Sequence, residues 1–357
     1  MVKTAKKKPG SSGVVKKTIR VIIILLVGGF LIMLSELYRR VYYPNINLKE
    51  RTTTFLYIHT GASYRDVLEE MSRQNLLKNQ NSFDWLARQV DYPNHIHPGK
   101  YLIAKTMSNK DLVWLLHSGR QTPVKLIFNN IRTTTDLAGR FSHQLEPDSL
   151  QLLNLFNDEA FLSQYDVTPN TVMALFIPNT YEMYWNTSAE NLLRKMYLEY
   201  QRFWTDKNKE LAKKIGLTPI EVSIMASIVE QETRRDQEKP VVAGVYMNRL
   251  KRGLRLEADP TLVFALGDYS IKRVLNAYKA LESPYNTYKY AGLPPGPICM
   301  PSVSSIQSVL HFQHHDFLFF CAKEDFSGFH VFAKNYAQHL QNARRYQTEL
   351  NKRNIKI

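Results

Sequence analysis

The chain has 357 residues, 44% of them hydrophobic, and a formal net charge of +15, which leaves room for a tail and two or three domains. Its two cysteines exclude a disulfide framework, and with no Cys-x-x-Cys or Cys/His zinc spacing the thiols are expected free and no metal is expected. The charge invites a nucleic-acid reading, but no nucleic-acid motif accompanies it, and no nucleic-acid partner is expected.

Part of the charge is local. Lys3, Lys6, Lys7, Lys8, Lys16, Lys17 and Arg20 precede an apolar run, and Arg39 and Arg40 follow it. Residues 1–17 read as a disordered basic tail. Val21 to Leu34 is uninterrupted apolar sequence, and residues 18–38 are expected to form a single transmembrane anchor. The following SELYRRVYY offers no small-x-small cleavage site, so a cleaved signal peptide is disfavoured. The basic flank predicts a cytoplasmic N-terminus in the inner (cytoplasmic) membrane. Everything past about residue 40 is then periplasmic or otherwise extracytoplasmic, and a basic domain there suits an anionic polymer such as a cell-wall glycan. Residues 39–51 read as a stalk.

Three strand-then-capped-helix units follow. TTTFLYIHT is a strand, and Ser63 with Asp66 caps a helix; SFDWLARQV is a second helix. Pro98-Gly99 leads into the strand KYLIA, and Ser108 with Asp111 caps the next helix. VKLIFNN is a strand, and Thr133 with Asp136 caps another. Residues 52–121 loosely resemble a LysM-like module, a fold that binds cell-wall glycan. A small structural α+β module fits equally. Residues 145–216 read as helices with polar loops. In the loop FIPNTYEMYWNTS, Tyr181, Tyr184 and Trp185 suit either sugar stacking or packing.

Leu217 to Thr233, LTPIEVSIMASIVEQET, opens with Thr218 as N-cap, Pro219 at the first helical position and Glu221 closing a capping box. On a helical wheel, Ile224, Ile228, Met225, Val229 and Val222 form an apolar stripe centred near about 110°, with Glu232 inside it at about 120° and Glu230 opposite at about 280°. Desolvation raises the pKa of a carboxyl so placed, as a general acid near neutral pH requires. The competing reading is a structural pair with Arg234 or Arg235.

KPVVAGVYMNRLKRG is a further helix carrying Asn248 and Arg249. Asp259-Pro260 initiates a turn in RLEADPTLVFALG. SPYNTYKYAGLPPGPICMP, 283–301, is too rich in proline and glycine for a regular element, and such loops commonly line sites.

SIVEQET, YMNRL, LEADPT, SPYNTY and GLPPGPI, in this order and spacing, resemble the YceG-like (MltG-type) endolytic murein transglycosylases. GFHVFAKNYAQH, with His330 and His339, resembles that family's closing segment. The resemblance is strong over residues 160–357. It departs around Cys299 and Met300 and in ALGDYSIKRVLNAYKALE, away from the motif residues. It implies an α+β protein: a transmembrane helix, a LysM-like module, then a mixed α/β catalytic domain over 122–357 with its catalytic Glu on a helix. It implies cleavage of the MurNAc-GlcNAc β-1,4 bond of peptidoglycan glycan strands, leaving 1,6-anhydro-MurNAc ends, with no cofactor. It further implies work beside peptidoglycan synthases, trimming or terminating new strands. The Glu-x-Glu motif admits Glu232 or Glu230 as the catalytic residue; the wheel favours Glu232. Asn248, Asp259, Tyr285, Asn286 and Tyr288 match family motifs and are expected to line the substrate cleft, with Arg249 pairing the second Glu. The alternatives are a non-catalytic peptidoglycan-binding scaffold, a glycan hydrolase and a pyridoxal-phosphate lyase. The last needs a Schiff-base lysine and a cytoplasmic enzyme.

Overall fold

The computed structural model describes residues 12–353 apart from Lys272. The chain is α+β and divides into two compact units, 1–123 and 124–357.

In the first unit, helix α1 spans Ser12–Tyr42. It is longer than the sequence suggests at both ends, because no strong breaker interrupts it before Pro44, which disfavours helical backbone at Tyr43. Its stretch Val15–Tyr42 is 28 residues long, with a mean hydropathy of 2.4, and is unburied; about 20 apolar residues suffice to cross a bilayer. Of the expected basic tail, residues 12–17 belong to this helix, and 1–11 lie outside the described residues.

The expected stalk is not free. Asn45 and Ile46 are buried, and bridges pair Pro44 with Ser108 and Ile46 with Leu77. The Asn45 amide donates to Asn109 Oδ1 at 2.7 Å and to the Asn79 carbonyl at 2.8 Å. Asn109 in turn donates to the Arg40 carbonyl at 2.7 Å. Strand β1 (Thr53–Ile58) pairs antiparallel with β2 (Gly99–Ala104), from Thr53↔Ala104 to Ile58↔Gly99. Helices α2 (Tyr64–Arg73) and α3 (Gln80–Gln89) lie between them, and α4 (Asn109–His117) follows. Alternate residues Leu56 and Ile58 of β1, and Tyr101 and Ile103 of β2, meet Val67, Met71, Phe83 and Leu112 in one core.

In the second unit β3 (Val124–Phe128) pairs antiparallel with β4 (Asn179–Met183). The latter lies in a stretch that reads as loop from sequence. Tyr181 is buried there and stacks on Phe128 at 5.5 Å, so it is core rather than a sugar platform. Between the two strands come α5 (Thr134–Ser142), α6 (Ser149–Phe156) and the short α7 (Glu159–Leu162). Helices α8 (Ala189–Phe203) and α9 (Asp206–Ile215) are separated where Thr205 caps the second. Then follow α10 (Pro219–Glu232), α11 (Lys239–Lys251), α12 (Asp259–Leu266), α13 (Val303–Leu310), the hairpin β5 (Phe319–Ala322) with β6 (His330–Ala333), and α14 (Tyr336–Lys352).

Helix α10 is the centre of this unit. Every residue from Val222 to Val229 is buried, so the one-sided apolar stripe drawn from the sequence does not describe it. It is a helix buried all round, packed with α11 and α13 through Val222, Met225, Ile228, Val242, Ile306 and Val309. Helix α11 is pressed against the chain after α13. A Cβ on Gly244 would meet the Gln313 carbonyl at 2.4 Å, while His315 Nε2 lies 3.0 Å from the Val241 carbonyl. Gly244→Ala therefore forces backbone apart, and we expect a loss of about 1–3 kcal/mol, measurable by denaturant unfolding of the detergent-solubilised protein.

Candidate active site

Glu232 is the last residue of α10. Thr233 leaves the helix in extended conformation (φ −143°, ψ 139°). The turn that follows is pinned by hydrogen bonds. Thr233 Oγ1 donates to Glu238 Oε2 at 3.2 Å, and the Arg235 amide donates to Thr233 Oγ1 at 3.0 Å. Buried Glu238 also accepts the His330 amide at 2.6 Å and lies 3.0 Å from His330 Nδ1, tying β6 to the end of α10.

Glu232 is half-buried as a residue, and its carboxyl accepts a hydrogen bond from the Tyr246 hydroxyl, not from Arg234 or Arg235. Burial raises its pKa to about 7, the Tyr246 bond opposes the rise, and the Asp259 charge adds to it. Tyr246 is itself buried and sits edge-on to Phe320 at 5.9 Å, so the hydroxyl is held in place by packing.

Glu230, two residues earlier, has the opposite environment. Burial disfavours its charge, but the Ser302 and Ser305 hydroxyls, the Lys239 ammonium and the Ser302 amide outweigh that, and its pKa is lowered. Lys239 Nζ stands 3.2 Å from Glu230 Oε2 and 2.8 Å from Asp236. Ser302 is the N-cap of α13. Glu230 is thus an ionised bolt between α10 and α13.

Two of the expected cleft residues meet beside Glu232. The Tyr288 hydroxyl donates to Asp259 Oδ1, and both line the same depression as Glu232. Asn286 is fully buried. It donates to the Lys279 and Leu281 carbonyls at 3.0 and 2.8 Å and accepts the Tyr288 amide at 3.0 Å, so it shapes the loop that presents Tyr288. Tyr285 packs on Phe264 at 4.8 Å. Asn248 is not brought to the cleft: its amide donates to the His315 and Phe317 carbonyls at 2.6 and 3.0 Å. Arg249 pairs with Glu257 rather than Glu230, and it donates to the Arg255 and Leu318 carbonyls. Cys299 and Cys321 are both free.

Glu232 sits where three depressions meet. One is lined by Arg132, Asp259, Phe264 and Tyr269. A second is lined by Tyr246, Arg249, Glu257, Tyr288 and Phe319. The third runs under the β5–β6 hairpin past Arg235, Phe329 and His330. An acid at a crossing of grooves suits an extended substrate that continues in both directions. Tyr246 was not singled out from the sequence, although it begins the YMNRL stretch.

A family model for the YceG-like family matches residues 56–345. An endolytic murein transglycosylase of Bacillus subtilis (strain 168) is 26% identical over 345 residues, 92% of this chain and 93% of that protein. One from Streptococcus pneumoniae is 27% identical over 321 residues, of which this chain spans 57% of the relative's length. A yceG-like protein from Listeria monocytogenes, whose crystal structure was solved at 2.6 Å, superposes with a TM-score of 0.54 at 24% identity. The match covers 81% of this chain and 98% of that one.

The two glutamates are expected to separate on substitution. Glu230→Gln removes a charge that holds two serines and Lys239, and should cost roughly 1.5–3 kcal/mol. Because the folded pKa is lowered, that stabilisation is complete above the ordinary glutamate value of 4.5 and is lost as pH falls. The gap from wild type, followed by thermal melts, should therefore close in acid.

Proposed function

This chain belongs to the YceG-like family, and on that basis we propose that Glu232 is the single acid/base of an endolytic murein transglycosylase. The observation that carries the assignment is the pKa of about 7 at Glu232, against the lowered pKa of Glu230. Two carboxyls whose environments drive their pKa values apart have separate tasks.

The chemistry follows from one carboxyl acting twice. Protonated Glu232 donates to the oxygen of the β-1,4 bond as the C1–O bond of MurNAc breaks. The leaving GlcNAc keeps that proton. The carboxylate then accepts the proton of the MurNAc C6 hydroxyl as its oxygen bonds to C1. The strand ends in 1,6-anhydro-MurNAc, Glu232 is protonated again, and no water is consumed. Intramolecular attack gains from the high effective concentration of the hydroxyl. Tyr246 holds the carboxyl in register. The Asp259–Tyr288 pair keeps negative charge beside the site, which raises Glu232's proton affinity and favours the positive charge that develops on the sugar.

Asp259 also makes a second reading specific. A hydrolase requires a second carboxylate to activate water, and Asp259, which shares two of the three depressions with Glu232, is the candidate. It is engaged by Tyr288, which favours a supporting role. Helix α1 serves in this reading as a single-pass anchor. The N-terminal excess of Lys and Arg places the tail in the cytoplasm and the second unit outside the membrane. The β1–α2–α3–β2 unit then supplies a LysM-like glycan contact, and peptidoglycan synthases making new strands are natural neighbours.

Mass analysis of strands cut by the detergent-solubilised protein tests the chemistry. Anhydro ends, lighter by one water than reducing ends, are expected; reducing ends would establish the hydrolase instead. Glu232→Gln should lower the rate at least about 100-fold. The wild-type rate should fall as pH rises through about 7, because the acid must be protonated to start. Tyr246→Phe removes a bond that favours the charged form, so the alkaline limb should move upward. The raised pKa also means that the folded state loses stability as pH rises from 4.5 through about 7. Glu232→Gln should accordingly melt higher than wild type at pH 8, by about 2–4 °C for each kcal/mol relieved.

A further inference from the structure

The depression under the β5–β6 hairpin differs in charge from the groove on the other side of Glu232. Arg234, Arg235, Lys323 and His330 line it, whereas in its counterpart Arg249 and Lys279 are balanced by Glu257 and Asp259. Lys323 is offset by Asp325 at 2.8 Å. Glu232 is the one carboxyl in the lining, and its raised pKa leaves it only partly ionised near pH 7. Two arginines are left in excess.

Both follow directly on the catalytic helix. Arg234 is exposed. Arg235 spends one N–H on the Ser327 carbonyl at 2.9 Å, and its guanidinium lies 5.1 Å from the Phe329 ring centroid, so it is held against the hairpin with donors to spare. His330 gives Nδ1 to Glu238, which leaves Nε2 for the depression. Phe326 and Phe329 supply an apolar wall.

On peptide-bearing strands the sugars themselves are neutral, because each lactyl carboxyl is tied up in its amide to the peptide, so the negative charge that such a cluster could bind lies on the peptide. Guanidinium groups match carboxylates in shape and charge. We propose that this depression binds a carboxylate of the peptide borne on the lactyl ether of a muramic acid next to the bond that is cut. The protein then selects strands whose peptides keep their negative charge over strands whose peptides are neutral. This rests on the peptidoglycan reading above, and it adds a recognition element beyond the glycan backbone.

The test uses the full-length protein in detergent and one preparation of uncross-linked peptide-bearing strands, half of it with the peptide carboxylates capped as methylamides by carbodiimide coupling. The glycan, its amide-bonded lactyl groups and any phosphodiester are common to both halves, so only the peptide's negative charge differs. Wild type should show kcat/KM about two- to fivefold higher on the uncapped strands, in line with solvent-exposed ion pairs. The preference should shrink with added salt. Arg234→Ala with Arg235→Ala should bring the ratio close to one, and Arg234→Glu should take it below the wild-type value. The single change at exposed Arg234 guards against a misfolded hairpin. Equal rates in wild type, or a preference kept by the variants, overturns the proposal. Binding of both strand forms to Glu232→Gln supplies an arm that needs no turnover. If wild type makes no anhydro ends, the transglycosylase reading falls, while the affinity ratio of Glu232→Gln still judges the depression.

Discussion

Helix α10 is buried on every side from Val222 to Val229, so each polar atom on it must find a partner inside the protein. Ser223 donates to the Pro219 carbonyl at 3.2 Å. Ser227 donates to the Ile224 carbonyl at 2.7 Å and accepts the Ile298 amide at 3.0 Å. Glu230 gathers hydroxyls, an amide and an ammonium. Glu232, at the end, has Tyr246. The chemistry of the unit follows from that gradient of support: a carboxylate with several donors stays ionised, and one with a single donor, a buried setting and an acidic neighbour holds its proton.

Much of the surrounding structure serves to hold this arrangement still. The turn after Glu232 is fixed through Thr233, Glu238 and His330. Tyr246 is aimed by α11, whose flank is locked to the 313–317 segment through Gly244, Asn248 and His315. The loop 283–301 presents Tyr288 because buried Asn286 donates to the Lys279 and Leu281 carbonyls just before the loop and so ties the two segments together. Residues that look alike in a motif thus divide between those that face the cleft and those that keep its wall in shape.

The local features were legible from sequence. The boxes at Ser63, Ser108, Thr133 and Thr218 all form with the acidic residue three positions on, because a capping box is complete within four residues. The order of strands and helices in the first 128 residues was similarly readable. What depended on distant partners was not. Strand β4 needs β3, more than 50 residues away, to be a strand at all. The stalk is ordered by Asn109 and Leu77. The wheel favoured Glu232 for its place on an apolar stripe, yet the helix has no polar face; the two glutamates differ instead through Ser302, Ser305, Lys239 and Tyr246, which a helical projection cannot contain. Asn248 carries no mark in the sequence to show that its amide is spent on backbone.

The junction between α1 and the rest of the first unit has little slack. Helix α1 ends at Tyr42, and by Asn45 the chain is already built into the unit. The two residues between span at most about 7 Å, and the Arg40 carbonyl is itself held by Asn109. With α1 in a bilayer, that unit rides at the membrane surface in an orientation set by the helix, much as a bracket rides on a post. The distance from the bilayer that this unit can reach is then short.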